Sequence, residues 1–61
     1  MQVRFKLVKE TKGALRYQEV DDKGEPIEQA WAKIGTFYIR KSAFERGQPF
    51  PQTLRVTVSY D

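Results

Sequence analysis

The chain has 61 residues, no cysteine and no histidine, with eleven Lys and Arg against eight Asp and Glu for a formal net charge of +3. That length holds one domain, residues 1–61, near the lower limit at which a core stabilises a fold unaided, and the residue types needed for a disulfide framework or an ordinary structural zinc site are missing. Ordering the chain costs on the order of 1.5 kcal/mol per residue, which burial at about 25 cal/mol per Å² only roughly cancels, so a homodimer is the expected source of extra margin. No apolar run reaches the length of a signal-peptide core or a membrane span; a cytoplasmic protein without a membrane partner is expected.

From Val3 the chain alternates: Val3, Phe5 and Leu7 point one way, Arg4, Lys6 and Val8 the other, the period-two signature of a half-buried strand over residues 2–10. Leu15 and Tyr17 repeat the pattern with Arg16 and Gln18. Between them, Thr11-Lys12-Gly13 suits a three-residue hairpin loop with glycine in a last, left-handed position. The register that follows sets Glu10 opposite Ala14, Lys9 opposite Leu15, Leu7 opposite Tyr17 and Phe5 opposite Glu19, which keeps the apolar residues on one face. A two-residue Lys12-Gly13 turn competes, but pairs Leu7 with Gln18 and Val8 with Tyr17 and splits that set.

Five acids and one base lie between Glu19 and Glu28, a balance of −4 that leaves +7 for the rest of the chain. Within this stretch Asp22-Lys23-Gly24-Glu25-Pro26 reads as a turn. For residues 26–34 two readings stand: Ile27, Ala30, Trp31 and Ile34 have helical spacing between Pro26 and Gly35, but the element is short enough to be an irregular strand instead. Thr36–Arg40 is a strand with Phe37 and Ile39 on one side and Tyr38 and Arg40 on the other. Ser42-Ala43-Phe44-Glu45 matches a capping box, with Gly47 as the stop of a single helical turn. Gln48-Pro49-Phe50-Pro51 is an extended connection. A last strand runs from Thr53 to Tyr60, with Leu54, Val56, Val58 and Tyr60 facing the core. The expected fold is therefore mostly β, a small antiparallel sheet of about four strands with one or two short helical turns. Its predicted core is Val3, Phe5, Leu7, Leu15, Tyr17, Phe37, Ile39, Leu54, Val56 and Val58.

Without His or Cys the usual nucleophile, base and metal combinations are missing, and neither serine, Ser42 or Ser59, has an activating partner. The carboxylate pairs Asp21/Asp22 and Glu25/Glu28 have no deep pocket in a domain this small to shift their pKa values, and Lys23 stands where a calcium loop needs a ligand. No catalytic residue, metal ligand or cofactor is expected; the chain reads as a binding protein. The wet sheet face gathers cations: Arg4, Lys6, Arg16 and Arg55, with Arg40 and Tyr38 nearby and Lys41 just before the turn at Ser42. Such a face suits the phosphates of a nucleic acid, and an exposed Tyr38 suits stacking on a base or sugar. The same charges also serve a one-layer sheet as solubility devices that keep edge strands apart. Trp31, Phe44 and Phe50 are more large aromatics than so short a chain covers readily, which makes them candidate contacts with a second copy or a protein partner. For Phe50 the alternative is a plug closing the end of the sheet.

The stretch Gly35-Thr36-Phe37-Tyr38-Ile39-Arg40-Lys41-Ser42-Ala43-Phe44-Glu45-Arg46-Gly47, followed by Leu54-Arg55-Val56-Thr57-Val58, resembles the strand, short helix, strand unit of AbrB-type swapped-hairpin DNA-binding domains. The chain departs from that family in having Arg40 in place of the usual proline, a shorter helix and a longer segment before the motif. The resemblance implies an intertwined dimer that binds DNA through Arg40, Lys41 and Arg46. The pattern also looks like that of short bacterial and phage proteins from which no function carries over. The alternative to nucleic-acid binding is a protein-interaction module of phage or plasmid accessory type, docking through an edge strand or the aromatic surface.

Overall fold

In the computed structural model, which describes residues 1–60, the alternating segments become four strands: β1 (Gln2–Glu10), β2 (Ala14–Val20), β3 (Thr36–Arg40) and β4 (Thr53–Thr57). They form one antiparallel sheet in the order β3-β2-β1-β4, curled into a half-barrel. The concave face carries the core. Val3, Phe5, Leu15 and Tyr17 are buried there, and Leu7, Phe37, Ile39, Leu54 and Val56 pack around them half-buried. Because β3 and β4 lie at opposite edges, residues 41–52 cross that face as a strap. Phe44 and Phe50 seat on the core from the strap, and the Tyr17 hydroxyl donates to the Pro51 carbonyl at 2.8 Å. Val58, expected in the core, is half-buried outside this cluster, and Tyr60, expected to face the core, is 86% exposed, because β4 ends at Thr57.

The β1–β2 register is a composite of the two that the sequence allows. Phe5 faces Glu19 and Leu7 faces Tyr17, but nearer the turn Lys9 faces Arg16 and Glu10 faces Leu15, so the expected pairs of Lys9 with Leu15 and Glu10 with Ala14 do not form. Val8 is the extra residue of a β-bulge that joins the two halves. The turn is the tight one, with the Thr11 N–H donating to the Ala14 carbonyl at 2.9 Å and the Thr11 hydroxyl both accepting from the Ala14 N–H and donating to its carbonyl. Gly13 is not left-handed there. The turn settles its own pairing, the apolar faces settle the far end, and one inserted residue absorbs the difference.

The second turn forms as expected. Gly24 takes φ +82°, its N–H bonds to the Asp21 carbonyl, and Asp21 Oδ1 accepts from the N–H groups of Lys23 and Glu25. Residues 26–34 are neither a full helix nor a strand: a 3-10 turn at Gln29–Trp31 sits within irregular chain. The capping box at Ser42 does not form. The 3-10 turn there is Lys41–Ala43, its N-cap position is Arg40, and no side chain caps it. Phe44 is already extended at φ −108°, ψ 156°, drawn toward the core before a second turn can close. Among the described residues no helix is long and apolar enough to cross a membrane.

Candidate nucleic-acid interface

The pleat of the sheet sends alternate residues to its convex outer face, and strand pairing arranges them in rows. Tyr38, Arg16 and Lys9 stand side by side across β3, β2 and β1; Thr36, Gln18, Lys6 and Thr53 form the next row; Val20, Arg4 and Arg55 form the third, and Arg40 lies opposite Ala14 at the β3 edge. Arg4, Lys6, Lys9, Tyr38, Arg40 and Arg55 are exposed and Arg16 is half-buried. Five of the predicted cations, Arg4, Lys6, Arg16, Arg40 and Arg55, thus share one face with Tyr38. Lys9 joins them, a residue missed in the sequence because the bulge at Val8 moves it from the expected inward pairing with Leu15 to a place opposite Arg16.

Two features of these rows are electrostatically unfavourable to the isolated domain. Arg4 stands directly opposite Arg55, and Lys9 opposite Arg16; like charges so placed destabilise a sheet. Among the described residues the single ion pair is Lys41 with Glu10, at 2.7 Å, so none of the outer-face cations is neutralised by a carboxylate. Arg4 and Arg55 of the third row, with Thr53 of the second and Asp21 of the adjoining turn, line an open groove of about 380 Å³.

Lys41 is not part of this face. Its ammonium is held by Glu10 and lies 5.7 Å from the Phe50 ring centre, at the start of the strap. Arg46 is exposed farther along the strap, so the Arg40, Lys41 and Arg46 set implied by the AbrB resemblance is spread over two sides of the chain. The aromatic candidates also separate. Phe44 and Phe50 meet edge to face at 5.9 Å and close the core from above, lining with Lys41 and Arg46 a groove of about 440 Å³, whereas Trp31 is 79% exposed.

Glu19 is the second residue missed. It lies on the concave face opposite Phe5 and is 2% exposed. Its carboxylate accepts the N–H groups of Lys33 at 3.1 Å, Ile34 at 2.8 Å and Gly35 at 3.0 Å, which ties the irregular 26–34 segment to β2. Burial pushes its pKa up, but the three backbone donors and the nearby Lys33 charge outweigh burial and hold it below the ordinary carboxylate value. The signal was its register position: an acid opposite Phe5 needs donors.

No protein-family model, curated protein or solved structure matches the chain.

Proposed function

We propose that this domain binds nucleic acid through its convex sheet face, by contacts to phosphates rather than to base edges. The observation that carries the reading is the set of outer-face cations without carboxylate partners among the described residues, including two like-charge pairs directly across strands. A phosphate between Arg4 and Arg55, or between Lys9 and Arg16, turns a repulsion into a bridged pair. Solubility alone is served equally well by mixed charges, which would neutralise one another across the strands.

The test is titration of the chain into labelled DNA and RNA, single-stranded and duplex, at low and then near-physiological salt. Binding is expected that weakens as salt rises, with a log–log slope of roughly −0.7 to −0.9 per phosphate engaged. Joint replacement of Arg4, Lys6 and Arg16 by Ala should flatten that slope by roughly 0.7–0.9 per lost contact, while Lys23→Ala, in the acidic turn, should leave it unchanged. Absence of binding at low salt would sink the proposal. The rival reading, a protein-interaction module, rests on the exposed Trp31; it calls for a complex with a protein that tolerates salt and the triple replacement but is lost in Trp31→Ala.

A further inference from the structure

The outer face carries one aromatic whose exposure the fold does not use. Tyr38 is 61% exposed at the centre of edge strand β3, with Arg16 directly opposite and Arg40 two residues along the strand. Among the described residues its ring stacks on no other aromatic and carries no cation over its face, in contrast to Phe5, Tyr17, Phe37, Phe44 and Phe50, each of which has a ring partner. Nothing in the core needs Tyr38, and its free ring stands beside guanidinium groups on the surface that gathers the cations.

We infer that the nucleic acid this face takes is single-stranded, with one base stacked on Tyr38 and the backbone running from the Lys9–Arg16 row past Lys6 to the Arg4–Arg55 groove. This rests on the nucleic-acid reading above and adds the form of the strand. Three physical points favour it. A base presents its face to a side chain only when unstacked from its neighbours, which a duplex does not permit without disruption. Four strands about 4.8 Å apart span roughly 14 Å before side chains are counted, too broad for a major groove about 12 Å wide. The face is also convex, so a stiff duplex meets it over a short length, whereas a flexible strand follows its curvature. Rows two residues apart are about 7 Å from one another along a strand, which makes the diagonal from Tyr38 to Arg55 a path of about 20 Å.

The experiment compares an oligothymidine of about eight nucleotides, a length within the usual site sizes of sheet-based single-strand binders, with a duplex of the same length, for the native chain, Tyr38→Ala, Tyr38→Phe and the Arg4, Lys6, Arg16 triple replacement. Expected are at least tenfold preference for the single strand and a salt slope near −2 for about three phosphates. Tyr38→Ala should lose roughly 5- to 100-fold in affinity with the salt slope kept, and Tyr38→Phe should bind like the native chain. Equal or tighter binding of the duplex, or no loss in Tyr38→Ala, overturns this inference and leaves phosphate binding standing. Failure of both forms to bind at low salt overturns the underlying proposal and this one with it.

Discussion

Replacing Glu19 by Ala is expected to lower the unfolding free energy by about 3 kcal/mol or more, since hydrogen bonds to a charged acceptor contribute about 1.5–3 kcal/mol each and buried donors left unpaired are costly. The N–H groups of Lys33, Ile34 and Gly35 lose their acceptor together. At roughly 0.05–0.15 kcal/mol per residue a chain this short has on the order of 3–9 kcal/mol in total, so the variant should be close to unfolded. Glu19→Gln keeps one carbonyl acceptor and should lose less. The pKa carries a second expectation. Because the folded value lies below the ordinary one of 4.5, the carboxylate contributes its full stability above pH 4.5, and that contribution is lost as pH falls from there through the lowered folded value. Urea midpoints followed by circular dichroism between pH 3 and 7 should fall in acid for the native chain and less steeply for Glu19→Gln. An unchanged midpoint in Glu19→Ala, or equal acid sensitivity in Glu19→Gln, would contradict the role given to this carboxylate.

Phe5→Ala should be at least as damaging by another route. Phe5 is fully buried at the centre of β1 and meets the Phe37 ring edge to face at 4.4 Å. Truncating a buried Phe costs about 3–5 kcal/mol through lost transfer energy and the cavity left behind, and the aromatic pair adds about 0.5–1.5 kcal/mol. That total is comparable with the whole stability of a domain this size. Trp31→Ala, at a 79% exposed site, should stay within about 0.5 kcal/mol of the native chain. Thermal melts of the two variants separate these cases: a cooperative melt of Phe5→Ala within a few degrees of the native chain would show that the core has another centre.

Faces were legible in the sequence and registers only in part. The alternation of Val3, Phe5 and Leu7 with Arg4 and Lys6, and of Phe37 and Ile39 with Tyr38 and Arg40, assigns each side chain to a surface without reference to its neighbours, because the pleat has a period of two. The β1–β2 pairing escaped because the Thr11 hydroxyl closes a two-residue turn while Leu7 and Tyr17 demand the other register, and a bulge that satisfies both leaves no mark in composition. The single turn at Ser42 forms, as the 3-10 turn Lys41–Ala43, but its capping box failed for a related reason. A capping box reports local preference, and Phe44 gains more from the core than one helical turn offers. At the candidate interface, Arg4, Lys6, Arg16, Tyr38, Arg40 and Arg55 followed from alternation alone, while Lys9 depended on the bulge and Lys41 on the position of Glu10 across the turn.

The strap that carries residues 41–52 from one edge of the sheet to the other also sets an order of assembly. β1 and β2 meet through a two-residue turn, whereas β4 adds to β1 only after most of the chain has been laid down, pairing Leu54 with Phe5. Contacts so distant in sequence are slow to form, because closing the loop costs entropy before any pairing compensates. The hairpin should therefore form first and β4 dock last, and in native-state hydrogen exchange the amides of Thr53–Thr57 should open before those of β2. Arg55 would then be the last cation to join the outer face and the first to leave it.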